Sequence, residues 1–175
     1  METLNNFKKD CSNDVFFALS HGVHRGQLKN RSSDDREKFI RSLINKCRNI
    51  RFDIFGMDNI QPIWADQYFK NISNSKMGLN LSRGKPLKYT SSNRIASLIG
   101  NGIYTFIDKK TKFTDFFDEN EMGFYSNYSD LGNLVEKLIS NPNKLNKYSK
   151  NGKKRYFDLF NNKKVTYQML KKTFF

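Results

Sequence analysis

Between Ser82 and Gly102 the sequence reads SRGKPLKYTSSNRIASLIGNG. Lys85, Lys88 and Arg94 bracket a run of small polar residues, Thr90-Ser91-Ser92-Asn93, with Arg83 just ahead of them. Ile95, Leu98 and Ile99 then follow at helical spacing. Such a segment suits an anion. The first turn of a helix has backbone N–H groups without intrahelical partners, and Ser or Asn side chains can add to them. Lysine supplies charge, and arginine adds paired contacts to phosphate. A plainer reading stays open, in which Ser91 or Ser92 caps the helix and the cations are solvated.

A second candidate is HGVHRG, which holds both histidines of the chain, His21 and His24, beside Arg25. Glycines on either side allow close backbone approach, and His24 with Arg25 would meet a phosphate or a sugar hydroxyl. An exposed turn explains the same residues. Asp108, Asp115, Asp118, Glu119 and Glu121 form an acidic group suited to a sugar contact or to a solvated surface. No catalytic residue is assignable.

Several chemistries lose their sequence support. There is no GxGxxG or GxxxxGK[ST] fingerprint, and no HExxH or CxxC pattern. Cys11 and Cys47 fit neither a disulfide framework nor a zinc site, so no metal is expected. The formal charge of +14 favours anionic partners such as nucleotides, nucleic acid or an anionic membrane surface. A general bias toward Lys and Asn is an alternative source of that charge. No apolar run is long enough to span a bilayer and the first residues lack an apolar signal core. The expectation is a cytoplasmic protein, with peripheral contact at the inner face of the membrane through the basic segments KNGKKRY, NKK and LKKTFF.

The elements that would position these loops alternate. Residues 1–13 read as a flexible arm and 14–175 as one domain. Strands are expected at 14–20, 51–56, 76–82, 103–108 and 122–126. Helices are expected over SSDDREKFIRSLINKC, WADQYFKNIS, SNRIASLIGNG, TKFTDFF, SDLGNLVEKLIS with Ser129 as cap, and the segment after Pro142. The terminal NKKVTYQMLKKTFF reads as a final basic helix or tail. Alternation without hairpin turns predicts a Rossmann-like three-layer α/β domain, with about five parallel strands and a C-terminal helical segment. Ligands of such sheets bind beyond the carboxyl ends of the strands. That rule selects HGVHRG, GMDNIQP and the SRGKPLKYTSSNR loop.

From Asp14 to about Leu170 the order of features resembles the C-terminal, donor-binding half of a GT-B glycosyltransferase, of the group-1, CgeB-like kind. The resemblance rests on FFALSHGVHRG, RFDIFG, MGLNLSRG, NRIASLIGNG and FTDFFDENEMGFYSNYSDLGNLVEKLISNP in that order. It implies a bacterial protein whose donor is a nucleotide-diphosphate sugar, with a glycan or lipid-linked glycan as acceptor and no metal or other cofactor. Under it, Arg25, Lys85, Lys88, Ser91, Ser92, Asn93 and Arg94 hold the donor diphosphate. His24 and Ser97 face the nucleotide or sugar. Many relatives carry a Glu three residues after the helix-starting Arg, where this chain has Ser97, which alters ribose recognition. GT-B enzymes also have an N-terminal domain bearing the acceptor site. Turnover is therefore expected to need a second domain, a partner subunit or a homo-oligomer. The alternative is a non-catalytic basic domain binding nucleotide, glycan or nucleic acid, although no RNP-type or KH-type signature favours RNA.

Overall fold

A computed structural model describes residues 11–20, 35–90 and 92–174. Its described strands are β1 (Asn13–Ala18), β2 (Phe52–Phe55), β3 (Ser75–Asn80), β4 (Tyr104–Asp108) and β5 (Gly123–Tyr125). They form one parallel sheet in the order β2-β1-β3-β4-β5. The helices are α1 (Arg36–Lys46), α2 (Ala65–Ser73), α3 (Asn93–Ile99), α4 (Tyr128–Ile139), α5 (Pro142–Phe160) and α6 (Asn162–Phe174).

Each strand divides its side chains between two faces, as the two-residue period of a strand requires. In β1, Val15 and Phe17 join a core with Ile40 and Leu43 of α1 and Leu131 and Val135 of α4. Phe16 and Ala18 point the other way, toward Ile72 of α2 and Leu98 of α3. A third cluster joins Ile95 and Ile99 of α3 to Ile107, Phe124 and Tyr156 of α5. Helices thus cover both faces, which explains why the strands read as nearly continuous apolar runs.

Several expectations need correction at the level of single residues. Cys11 is buried and β1 begins at Asn13, so the chain is ordered into the sheet before residue 14. The first ten residues of the expected arm lie outside the described ones. TKFTDFF (111–117) is not a continuous helix: a 3₁₀ turn, Lys109–Thr111, ends at its first residue, a second covers Phe113–Asp115, and the left-handed Lys112 (φ 58°) separates them. The cap of α4 is Asn127, whose side chain accepts from the Asp130 N–H, not Ser129. Cys47 follows α1 and is buried, and desolvation pushes its thiol up to about 11, so it behaves as an inert small hydrophobe.

Candidate functional site

The sheet order reverses direction beside β1, since β2 lies on one side of it and β3 on the other. A crevice at such a switch point is where open parallel sheets take ligands. Here the crevice is a cleft of about 270 Å³ walled by Asn80 at the end of β3, Leu81, Arg83, Lys85 and Leu87 after it, Arg36 of α1, and Ser92 and Arg94 at the start of α3. Arg36, Arg83, Lys85 and Arg94 bring positive charge to it, and among the described residues that line it there is no Asp or Glu.

Arg94 sets the shape of this wall. Its guanidinium donates to the Leu81 carbonyl at 3.1 Å and to the Ala18 carbonyl at 3.0 Å. It therefore ties the carboxyl ends of β1 and β3 together, while its carbon centre lies 4.9 Å from the Phe17 ring centroid. Burial pulls its pKa below the usual arginine value. The Tyr68 phenol opposes that shift and repulsion from Arg36 adds to it. Gly78 in β3 leaves room for Leu98 of α3, whose side chain would lie 2.5 Å from a Cβ there. This close approach brings the start of α3 against the strand ends.

Ser92 occupies the N-cap position of α3 with an extended backbone, but its side chain makes no cap hydrogen bond. Its hydroxyl donates instead to Asn80 Oδ1 at 3.0 Å, across the cleft wall. The Tyr125 hydroxyl donates to the Asn80 carbonyl at 3.4 Å, and burial pushes that phenol well above its usual range. Because α3 has only seven residues, its dipole is short, and the positive potential comes mainly from side chains.

The sequence-selected residues divide. Lys85, Ser92 and Arg94 meet in the cleft wall. Lys88 is outside it, with its ammonium 4.6 Å from the Tyr89 ring centroid. Asn93 is exposed in the first turn of α3, and its carbonyl accepts from the Ser97 hydroxyl at 2.9 Å. Ser97 is buried and also outside the cleft wall. The ribose-facing role implied for it would require that hydroxyl to leave its own helix. His24, Arg25 and Ser91 lie outside the described residues. The acidic candidates serve local structure: Asp108 accepts from the Lys110 N–H, Asp115 from the Tyr89 hydroxyl, and Glu121 from the Asp118 N–H. In the GMDNIQP loop, Asp58 pairs with Arg41 at 2.5 Å. Among the described residues no group of His, Cys, Asp or Glu is placed to hold a metal ion.

Sequence reasoning missed Arg36 and Asn80. Arg36 opens α1 inside a segment whose acidic residues and serines read fully as a helix start. Only the convergence of α1 and α3 at the switch point identifies it as a cleft residue. Asn80 ends β3 as the sole polar residue of GLNL, and that position was the available signal.

The fold has known counterparts. The chain superposes on TarM with a TM-score of 0.70 at 10% identity, covering 98% of this chain and 37% of that one. Against sucrose-phosphate synthase from Thermosynechococcus elongatus the TM-score is 0.59 at 14% identity, over 92% of this chain and 45% of that one. Against Anabaena HepE, solved in complex with UDP-glucose, it is 0.55 at 10% identity, over 92% and 48%. The chain thus spans less than half the length of each. No curated protein matches it in sequence. The family model described as glycosyl transferase-like matches residues 31–171, which takes in α1 through most of α6 and every described wall of the cleft. The chain belongs to this glycosyl transferase-like family and has the Rossmann-like architecture of the C-terminal domain of a GT-B glycosyltransferase.

Proposed function

We propose that the cleft at the β1/β3 switch point binds the diphosphate of a nucleotide-sugar donor, and that the chain is the donor-binding half of a glycosyltransferase. The observation that carries this reading is the gathering of Arg36, Arg83, Lys85 and Arg94 in one wall, with no carboxylate among the described residues that line it. Arg36 is only 7% exposed, and its charge adds to the cost of keeping the buried Arg94 guanidinium ionised. A bound diphosphate offsets that cost. HepE, of similar fold, binds UDP-glucose, which makes a uridine donor the first to test.

In this reading the bond between the sugar's anomeric carbon and the diphosphate oxygen breaks, and the electron pair leaves with the diphosphate. The fixed cations stabilise the charge that develops there. The acceptor hydroxyl oxygen bonds to the anomeric carbon, and its proton passes to a base on a second unit, an N-terminal domain or another subunit. Charge neutralisation by side chains calls on no metal or other cofactor. The acceptor is a glycan or lipid-linked glycan. His24, Arg25 and Ser91 complete the donor contacts, while Lys88 and Asn93 lie outside the cleft wall and Ser97 makes no donor contact as long as its hydroxyl donates to the Asn93 carbonyl.

One observation favours a binding domain without turnover. The position three residues after Arg94 holds a buried serine bonded to its own helix, and among the described lining residues there is no carboxylate to grip a ribose. Calorimetric titration with UDP, GDP and a single-stranded oligonucleotide at two salt concentrations separates the readings. Saturable binding of a nucleoside diphosphate supports the donor site. Binding of the oligonucleotide alone, with a steep salt slope, rejects it.

A further inference from the structure

Side chains alternate along β3, so Gly78 and Asn80 share the face covered by α3. Gly78 lets Leu98 pack down on the strand. Asn80, next on that face, ends the register with β4 opposite Ile107 and is 4% exposed. A leucine would pack there without polar cost, whereas a buried amide must find partners for its oxygen and its two N–H groups. Only the oxygen has one. Oδ1 accepts from the Ser92 hydroxyl at 3.0 Å, and the backbone carbonyl of Asn80 accepts from the Tyr125 hydroxyl at 3.4 Å. Nδ2 has no acceptor among the described residues. It is not sealed in as Asp53 Oδ2 and Ser149 Oγ are, so it opens on the cleft that Asn80 lines.

The Ser92 bond decides which end of the amide the cleft receives. With Oδ1 held by a hydroxyl, the N–H groups face the space that Arg36, Arg83, Lys85 and Arg94 surround. These groups are all donors, so the complementary ligand is rich in acceptor oxygens. Size narrows it further. At about 270 Å³ the cleft falls below the roughly 300–1,000 Å³ of pockets that enclose a whole small ligand. It suits a diphosphate and leaves base and sugar to other surfaces.

We propose that Asn80 Nδ2 donates a hydrogen bond to the donor diphosphate and fixes where in the cleft it sits. This rests on the donor reading above. Exposed Arg83 and Lys85 carry charge on long side chains that follow an anion over a range of positions. Asn80 is held by the strand and by Ser92, so its contact is directional.

Calorimetric titration of the whole chain with UDP tests this, with inorganic diphosphate as competitor and with the variants Asn80→Ala and Asn80→Asp. Asn80→Ala removes the N–H groups without adding charge. Asn80→Asp keeps an oxygen for Ser92 and turns the other toward the ligand as an anion. Inorganic diphosphate is expected to displace UDP from the parent. UDP affinity is expected to fall about tenfold in Asn80→Ala, the equivalent of one hydrogen bond to a charged group, and further in Asn80→Asp. Unchanged affinity in Asn80→Asp overturns the proposal, because support of Ser92 then explains the residue. Unchanged affinity in a folded Asn80→Ala overturns it too, because repulsion alone then explains Asn80→Asp. A parent from which inorganic diphosphate does not displace UDP likewise overturns it. Each of these leaves a UDP site standing, whereas a parent that does not bind UDP overturns the donor reading as well. If Asn80→Ala does not fold, Asn80→Asp decides alone.

Discussion

The Tyr89 hydroxyl donates to Asp115 Oδ2 across 2.5 Å, joining the cationic loop after β3 to the turns after β4. The Tyr89 N–H also donates to the Thr111 carbonyl at 2.8 Å, and its ring meets Phe116 at 5.2 Å between centroids. Its backbone is left-handed, with φ 57°, a conformation that persists in a non-glycine residue only when surroundings hold it. The loop carrying Arg83 and Lys85 is thus pinned at its far end.

Tyr89→Phe keeps the ring packing and removes the tether. We expect UDP affinity to fall about threefold to tenfold, the equivalent of one hydrogen bond, with the melting temperature lowered by only a few degrees. Titration and thermal unfolding of the same preparation check this. An unchanged affinity means that the tether does not position the loop.

Arg94→Ala removes the donor shared by the Ala18 and Leu81 carbonyls. The expected loss is about 2–3 kcal/mol in urea unfolding, because both strand-end acceptors lose a charged partner. Arg94→Lys recovers only part, since an ammonium lacks the planar fork that reaches both acceptors. A neutral alanine variant contradicts the tie.

Acid sensitivity is expected from the opposite end of the sheet. Burial alone would raise the Asp14 pKa, but hydrogen bonds from Arg51 and Lys76 outweigh it and hold the carboxyl below its ordinary 3.8. Asp14 therefore stabilises the fold above that ordinary value, and the contribution is lost as pH falls through the lowered one. Asp14→Asn is expected to cost about 2 kcal/mol at neutral pH and to flatten the acid limb of melting temperature against pH. Asp53 has the reverse sign. Burial raises its pKa and its Oδ2 has no hydrogen-bond partner, so its ionisation opposes folding as pH rises from 3.8 through the raised value. Asp53→Asn is expected to raise the melting temperature at neutral pH by a few degrees.

Gly152 lets α5 approach the loop before β5. A Cβ there would lie 2.2 Å from the Glu121 carbonyl oxygen, which is backbone and cannot swing aside. Gly152→Ala is expected to cost about 1–3 kcal/mol despite the better helix propensity of alanine. Urea unfolding measures the sign directly. A stabilised variant contradicts the close approach.

The layered fold was legible because buried parallel strands leave a strong signal: VFFAL, MGLNL and IYTFI are apolar on both sides. Strand order was not, since it depends on which helices cross which face. The site followed the same division. Lys85, Ser92 and Arg94 share one loop-to-helix stretch and were visible as a group. Arg36 is 58 positions before Arg94 in sequence and joins it only through the sheet order. Arg94 was readable as a cation but not as a strand tie, because its acceptors are backbone carbonyls that no side-chain pattern announces. Lys88 looked equivalent to Lys85 in sequence. The left-handed Tyr89 beside it places its ammonium over a ring instead.

The central claim is that Arg83 and Lys85 in the cleft wall hold a donor diphosphate. Both are exposed and outside the packed core, so Arg83→Ala/Lys85→Ala is expected to fold with a melting temperature within a few degrees of the parent. Calorimetric titration with UDP tests the claim most directly. One saturable site is expected in the parent, weakened by at least about tenfold in the double variant, as loss of two charge-assisted contacts requires. Undiminished UDP binding by a folded double variant, or no UDP binding by the parent, contradicts it.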